Sequence, residues 1–350
     1  MIIRQEKTMS RIERIQTYLT GAVPDRIPVM THNFLMAARQ AGVTMAQYRE
    51  HAAVIAECLI DACRTYETDG ILVDVDTALL SSACGAEVVY PEDIAAVTLD
   101  KQPRSIRQIT EDLANVDLLK CDRIRIYLDA VNQLSEWCRR NDVFLRANAD
   151  QGPFSLGCLL VGMEEFMMLL PDEEEEENLM ALMEQTLRIC LQMHQLCFEA
   201  GGHMTSYGNS SEGCSVVSPG IFRKYGLPFE IRLNRELKER GIPTMCHICG
   251  WTDPILEDLA RTGCPAYEFD AKTDIRKAKE IGRGHFVISG NLDPVMLASA
   301  GPDTVREEAK KLLDLFRGKG DLMIGPGCAL APDTPEENIH ALVDAARKWG

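Results

Sequence analysis

PTMCHICGWTDPILEDLARTGCPAYEFDAKTDIRKAKEIGRGHFVISGN, residues 243–291, is the stretch that decides the fold. Three short apolar runs, at 243–249, 266–270 and 286–291, alternate in it with longer segments of helical pattern. This alternation predicts βαβ units, in which a helix returns the chain so that consecutive strands lie parallel.

The same alternation extends over the rest of the chain and predicts eight strands in total. The other five runs are residues 27–32, 70–76, 144–150, 203–209 and 322–328. Eight βα units are the number that closes into a barrel, so we predict an α/β fold, a single (β/α)8 TIM barrel over residues 1–350. An open doubly wound sheet is the competing fold. Against it, no strand leads into a G-x-G-x-x-G or G-x-x-x-x-G-K-[ST] nucleotide loop.

Two segments lie outside this regular alternation. Residues 1–24 carry the pattern of a charged amphipathic N-terminal helix. Residues 77–142 form an unusually long connection between the second and third predicted strands. Because long connections often carry the moving parts of a site, we expect this one to hold a lid.

Composition excludes several classes of function. The chain has 37 basic and 53 acidic residues, a formal charge of −16, which disfavours a nucleic-acid partner. No segment approaches the roughly 18 consecutive apolar residues of a membrane span. The thirteen cysteines are odd in number and no signal peptide is recognisable, so we expect reduced thiols in a cytoplasmic protein.

Chemically capable side chains stand at the carboxyl ends of the predicted strands. They are His32, Asp76, Asp150, Asn209, Cys249, Asp270, Asn291 and Cys328. TIM-barrel enzymes build their active sites at that rim, so the pattern predicts a catalytic mouth. For any single Asp or Asn, the alternative stays open that the residue merely favours a turn or a helix cap.

The histidine and the cysteines at this rim predict a metal site. The period of a strand places His247 and Cys249 on one face, and barrel closure brings Cys328 to the same rim. One imidazole and two thiolates with a fourth position open are typical of catalytic zinc. Glu268 or Asp270 could supply a weak fourth ligand, although a salt bridge or a helix cap explains both equally well. The alternative for the cysteines is that they are ordinary buried apolar side chains.

Segments spread over nearly the whole chain resemble the uroporphyrinogen decarboxylase superfamily, and within it the methylcobalamin:coenzyme M methyltransferase branch. These segments are PDRIPV (24–29), GILVDVD (70–76), GAEV (85–88), GPF (152–154), HICGWT (247–252), SGN (289–291) and GPGCALAPDTPEEN (325–338). By this resemblance, His247, Cys249 and Cys328 are the ligands of a Zn²⁺ ion. Asp76 matches the essential aspartate of the decarboxylases.

The resemblance implies a zinc-dependent methyltransferase that moves a methyl group from a methylated corrinoid to a thiol such as coenzyme M. Zinc would deprotonate the thiol and so make it a nucleophile. None of the seven histidines lies two residues after an Asp, so no D-x-H-x-x-G corrinoid motif occurs and we expect a partner protein to bring the corrinoid. We expect Asp76, Asn209 and Asn291 in catalytic roles, and His32, Asp76 and Arg39 against the substrate.

Two other functions remain open at this point. A decarboxylase-like lyase acting on a porphyrinogen is favoured by residues 39–42, which resemble part of the decarboxylase substrate-binding segment. Against it, Val43 replaces an expected arginine, Leu159 lies near the position of an expected tyrosine, and Cys328 replaces a histidine. A non-catalytic zinc-binding accessory protein is expected if a side chain such as Glu268 fills the fourth zinc position. The methyl acceptor is also open between coenzyme M, another thiol and a folate.

Overall fold

A curled sheet of seven parallel strands forms the centre of the computed structural model, which describes residues 8–350. The strands in these residues are β1 Gly70–Val73, β2 Val88–Val89, β3 Val97–Thr98, β4 Phe144–Gln151, β5 Met204–Gly208, β6 Thr244–Ile248, β7 Ala266–Phe269, β8 Val287–Leu292 and β9 Leu322–Pro326. The sheet has the order β1-β4-β5-β6-β7-β8-β9, and β2 pairs with β3 as a short antiparallel hairpin. Neighbouring sheet strands are therefore consecutive along the chain, apart from the inserted hairpin.

Helices connect the strands and cover the outside of the sheet. They are α1 Arg11–Leu19, α2 Phe34–Gln40, α3 Met45–Glu50, α4 Ala52–Tyr66, α5 Leu79–Ala83, α6 Ile106–Leu113, α7 Asp122–Asn141, α8 Pro153–Val161, α9 Met163–Leu169, α10 Glu176–Glu199, α11 Pro219–Ile221, α12 Leu227–Glu239, α13 Leu256–Leu259, α14 Ile275–Gly282, α15 Pro294–Ser299, α16 Pro302–Phe316 and α17 Glu336–Trp349, with short 3₁₀ turns at Leu118–Lys120 and Asp253–Ile255 and a π turn at Phe222–Gly226. Within residues 8–350, no helix is both long and apolar enough to cross a membrane.

Apolar side chains fill the inside of the curled sheet near the beginning of its strands. Each sheet strand contributes one of them, namely Leu72, Phe144, Met204, Met245, Ala266, Val287 and Met323. Ile15 and Tyr18 of α1 pack against this cluster. Burying a large apolar side chain stabilises a fold by about 1.5–3 kcal/mol. The cluster therefore closes one end of the sheet and leaves the carboxyl ends of the strands for polar residues.

Seven of the eight predicted strands form in the structure, and the first, residues 27–32, does not. Val29 makes a single parallel bridge to Ile324 of β9, and its carbonyl accepts a hydrogen bond of 2.9 Å from the backbone of Asp69, just before β1. Pro28 has no N–H group to donate on one side of this bridge, and Pro326 of β9 has none on the other. The bridge therefore cannot extend into a ladder. The observed architecture is thus a seven-stranded parallel sheet with one bridging segment.

The two segments outside the regular alternation also differ in detail from the prediction. The N-terminal helix spans Arg11–Leu19 rather than residues 1–24. It begins there because Ser10 and Glu13 form a capping box. Residues 1–7 of the predicted helix lie outside the described residues. The connection 77–142 contains α5, the β2–β3 hairpin, α6 and α7, so it is an insertion with its own secondary structure.

Candidate metal centre

The three predicted metal ligands lie together at the carboxyl end of the sheet. His247 belongs to β6, Cys249 follows that strand directly, and Cys328 follows β9 by two residues. One ligand atom from each residue lies within 4.8 Å of the other two. Nε2 of His247 is 3.0 Å from Sγ of Cys249. A single cation at this point would contact one nitrogen and two sulfur donors.

A glycine next to Cys328 permits this convergence. A Cβ atom on Gly327 would lie 2.9 Å from the carbonyl oxygen of Phe269 in β7 and 2.8 Å from the backbone nitrogen of Ala271. Real Cβ atoms are essentially never found so close to backbone, so a larger residue would push the two segments apart. Gly327 thus allows the loop after β9 to approach β7.

The side chains of the three candidate ligands shift one another's pKa values. Hydrogen bonds from Cys249 and from His247 lower the pKa of Cys328 to about 4, although burial opposes this. The hydrogen bond to Cys328 and burial raise the pKa of Cys249. Burial lowers the pKa of His247, but Cys328 outweighs it and raises that pKa to about 9. A bound metal ion would replace these protons, as it does at thiolate sites in general.

Glu268 orients the imidazole of His247. Nδ1 of His247 lies 3.2 Å from the backbone oxygen of Glu268 and 3.4 Å from its Oε1. Metal-binding histidines usually direct their second ring nitrogen at such an acceptor, which leaves Nε2 for the metal. Oε2 of Glu268 pairs with Nη1 of Arg146. Burial raises the pKa of Glu268, but Arg146 and His247 outweigh it and hold that pKa at about 2.

The two acidic residues that could serve as a fourth ligand are otherwise engaged. Glu268 pairs with Arg146. The oxygens of Asp270 accept backbone hydrogen bonds of 2.9 Å from Gly250 and from Lys272. Among the described residues, the group that could hold a metal contains His247 and two cysteines and neither carboxylate. This donor set fits zinc with three protein ligands, the arrangement of catalytic sites.

A cavity of about 250 Å³ lies beside the three ligands. His247, Cys249 and Cys328 line one part of it. Three carboxylates from the ends of the neighbouring strands β1 and β4 line another part, and we call Asp74, Asp76 and Asp150 the acidic wall. The other lining residues are His32, Phe34, Leu35, Leu72, Thr77, Ala95, Arg146, Asn148, Gln151, Tyr207, Gly208, Ser210, Glu268 and Ala329.

Two members of the acidic wall have basic partners. Asp76 pairs with Arg123 of α7, and its Oδ1 accepts a hydrogen bond of 2.9 Å from the backbone of Ala78. Burial raises the pKa of Asp76, although Arg123 opposes this. Nε2 of His32 lies 2.7 Å from Oδ2 of Asp74. Two of the three predicted substrate-binding residues, His32 and Asp76, thus line the cavity, each paired with a group of opposite type.

Asp150, the third member of the acidic wall, has no basic partner within residues 8–350. Its carboxylate accepts hydrogen bonds of 2.6 Å from the backbone of Leu80 and 3.0 Å from the amide of Gln151. Burial raises the pKa of Asp150 to about 8, and the charges of Asp76 and Asp74 contribute to the increase. Burial among these groups therefore favours the protonated form of Asp150 at neutral pH.

The structure does not bring three other predicted site residues into the cavity. Asn209 is fully buried behind the sheet, where its amide donates a hydrogen bond of 2.7 Å to Glu230. The amide of Asn291 donates to the backbone oxygen of Asp270 at 3.2 Å. Arg39 is exposed on α2 and lines a separate surface hollow. The roles predicted for these three residues remain untested predictions.

Asp74 and the pairing of Arg146 with Glu268 are features of the site that the sequence analysis missed. In GILVDVD, Asp74 and Asp76 are two residues apart and so share one face of an extended segment, which could have identified Asp74. No sequence signal connects Arg146 to Glu268, because these residues are 122 positions apart.

Comparison with known proteins identifies the family. The family model described as uroporphyrinogen decarboxylase (URO-D) matches residues 10–349. This chain belongs to the uroporphyrinogen decarboxylase family. The match includes every residue of the metal centre and of the acidic wall.

Relatives within the uroporphyrinogen decarboxylase family carry two different activities in their names. The methylcobamide:CoM methyltransferase MtbA of Methanosarcina acetivorans is 26% identical over 348 residues, which cover 96% of this chain and 97% of the relative. The uroporphyrinogen decarboxylase of Geotalea uraniireducens is also 26% identical, over 349 residues that cover 94% and 96%. Sequence identity therefore does not distinguish between the two activities. The residues of the site have to be compared instead.

Solved structures confirm the fold. A methyltransferase from Methanosarcina mazei superposes with a TM-score of 0.85 and 21% identity, covering 97% of this chain and 99% of that one. A B12-independent methionine synthase from Shewanella sp. W3-18-1 superposes with a TM-score of 0.56 and 10% identity, covering 85% and 87%. At these identities the likeness is one of fold.

Proposed function

We propose that this chain is a zinc-dependent methyltransferase that transfers a methyl group from a methylated corrinoid to a thiol. The observation that carries the proposal is the convergence of His247, Cys249 and Cys328 within 4.8 Å at a cavity of about 250 Å³. The methylcobamide:CoM methyltransferases among the relatives support it.

Zinc bound here would hold the acceptor thiol as a thiolate, the nucleophilic form of sulfur. In the transfer, the carbon–cobalt bond breaks, a carbon–sulfur bond forms, the electron pair stays on cobalt as Co(I), and the thiol proton passes to solvent. Glu268 keeps His247 in the tautomer that presents Nε2. His32 and Asp76 hold the far end of the acceptor, because both line the cavity.

The porphyrinogen decarboxylase alternative fits the cavity less well. A substrate with several carboxylates needs unpaired guanidinium groups around it. Arg146 is the arginine that lines the cavity among the described residues, and it already pairs with Glu268. The accessory-protein alternative needs a fourth protein ligand, and Glu268 is not part of the ligand group.

We also propose that residues 1–350 form one domain in which the segment around Val29 closes the sheet as the eighth member of a TIM barrel. The bridge from Val29 to β9 and its hydrogen bond from Asp69 support this closure. We place the protein in the cytoplasm, because thirteen free thiols suit a reducing compartment.

The β2–β3 hairpin is our candidate for the lid and for the docking surface of the corrinoid partner protein. Ala95 of its turn lines the cavity. The guanidinium groups of Arg49 and Arg123 lie 5.8 and 5.1 Å from the centre of the Tyr90 ring. A group of exposed apolar side chains on a monomer marks an interaction surface. The exposed apolar residues of the hairpin and its flanks are Val89, Tyr90, Ile94, Val97 and Leu99.

The test is an anaerobic assay of the zinc-loaded protein with free methylcobalamin and small thiols. We expect loss of the methylcobalamin spectrum, formation of Co(I) and a methyl thioether, and no reaction with Cys328→Ser. Cys121→Ser is the matched control, because Cys121 is half-buried and lies outside the metal centre. Release of CO₂ from uroporphyrinogen without any methyl transfer would instead establish the decarboxylase.

A further inference from the structure

The cavity beside the metal centre carries more acidic than basic groups. Four carboxylates line it, those of the acidic wall and of Glu268. The side chains with basic groups that line it are Arg146, His32 and His247, whose Nδ1 faces Glu268. Arg123 of α7 does not line the cavity but pairs with Asp76. Two thiolates offset the charge of a Zn²⁺ ion, so a loaded metal centre does not change this balance.

Every one of these basic groups is already paired with a carboxylate. Arg146 pairs with Glu268, and Arg123 pairs with Asp76. Nε2 of His32 lies 2.7 Å from Asp74. A sulfonate or carboxylate on the acceptor would therefore meet no unpaired cation among the described residues that line the cavity. It would also lie near Asp150, for which the described part of the chain offers no basic partner.

The size of the cavity does not distinguish between small thiol acceptors. The charged groups of its lining do. At roughly 30 Å³ for each water-sized group, a cavity of about 250 Å³ holds any two-carbon thiol, whatever its terminal group. In a buried site, a like charge disfavours binding and an opposite charge favours it. The acidic wall therefore selects against anionic acceptors.

We propose that the methyl acceptor is a small thiol whose far end carries an ammonium group, which binds against Asp74, Asp76 and Asp150 while its sulfur occupies the metal centre. This inference rests on the proposed function and names its substrate class. It differs from the acceptor in the names of the methylcobamide:CoM methyltransferases, which is an anionic thiol. Asp150 supports it, because its carboxyl group is buried in the lining of the cavity and has no basic partner among residues 8–350. A bound ammonium group would favour the charged form of that carboxyl group.

The test uses three thiols that differ only at the far end: 2-aminoethanethiol, 2-mercaptoethanol and 2-mercaptoethanesulfonate. Their dissociation constants for the zinc-loaded protein are measured by isothermal titration calorimetry, independently of turnover. We expect the aminothiol to bind about tenfold or more tightly than the sulfonate, with the neutral thiol between them. Cys328→Ser, which disrupts the metal centre, should weaken the binding of all three.

A charge variant makes the test sharper. Asp76→Asn keeps the size of the side chain but leaves Arg123 unpaired, so the preference should move towards the sulfonate. Asp303→Asn is the control, because that side chain is 96% exposed on α16 and does not line the cavity. If Asp76→Asn does not fold, the three thiols on the unmodified protein decide alone.

The outcomes separate this inference from the proposed function. Binding of the sulfonate as tight as that of the aminothiol would overturn the inference and leave thiol methylation intact. If none of the thiols binds in a way that depends on Cys328, both proposals fall.

Discussion

Arg146 of β4 and Glu268 of β7 form an ion pair inside the curled sheet, with side chains only 3% and 5% exposed. Oε1 of Glu268 lies 3.4 Å from Nδ1 of His247. This pair therefore connects a strand on the side of the acidic wall with the metal centre.

Removing one partner of this pair should strongly destabilise the protein. Arg146→Met leaves the carboxylate of Glu268 buried without its guanidinium, and we expect the free energy of unfolding to fall by about 3–5 kcal/mol in urea titrations. The control is Arg232→Met, which breaks the surface pair with Glu184, where the side chains are 36% and 49% exposed. That change should cost less than about 1 kcal/mol.

The double variant Arg146→Met with Glu268→Gln tests the same pair from the other side. It removes both charges, so we expect it to recover much of the lost stability. Equal costs for Arg146→Met and for the surface control would show that the buried pair has no special role in stability.

Zinc content tests the metal centre directly. Protein purified without a chelator should contain about one zinc ion per chain. Cys328→Ser should lose it, while Cys121→Ser should keep it. Glu268→Gln retains all three ligands but weakens the acceptor for Nδ1 of His247, so zinc affinity should fall about tenfold to a hundredfold in competition with a chelator. Folded protein without zinc in every preparation would remove the basis of the proposed methyl transfer.

Asp150 should make stability depend on pH. In the folded protein burial raises its pKa to about 8 from 3.8, the ordinary value, which we take for the unfolded chain. Between these values the folded state binds more protons than the unfolded state, so the contribution of Asp150 to stability falls as pH rises. For one proton, the free energy of unfolding cannot change by more than about 1.4 kcal/mol per pH unit.

Asp150→Asn removes this titrating group. The measurement is the urea midpoint of unfolding of both proteins at pH values from about 5 to about 9. The stability of the unmodified protein relative to the variant should decrease from about pH 5 to about pH 8 and level off above that. Asp303→Asn, with an exposed side chain, should give a curve parallel to that of the unmodified protein. A parallel curve for Asp150→Asn as well would mean that this carboxyl group titrates normally.

Asn209 should affect stability rather than the chemical step. Its amide donates to Glu230 behind the sheet and does not line the cavity. Asn209→Ala leaves the buried Glu230 with one donor fewer, at an expected cost of about 1–3 kcal/mol in urea unfolding. The rate of methyl transfer per folded molecule should stay unchanged. A large fall in that rate at full stability would instead support the catalytic role predicted from the sequence.

The sequence predicted the repeated strand and helix pattern and the three metal ligands. Seven strands lie where their apolar runs indicated, because local periodicity and turn residues reveal a buried parallel strand. His247 and Cys249 are two residues apart on one strand, so their common face follows from strand geometry alone. Cys328 could be added because parallel strands end at one rim.

Only the tertiary structure decided which polar residues at that rim face the cavity. Asn209 directly follows β5 and Asn291 is the penultimate residue of β8, yet both bond to groups outside the cavity. Side chains at a strand end point inwards or outwards according to local register. The pairing of Arg146 with Glu268 and the absence of a basic partner for Asp150 depend on contacts between residues far apart in sequence. Charge balance in a buried site is a property of those contacts. The sequence alone therefore identified the candidate metal donors, whereas the fold decided which charged groups surround the cavity beside them.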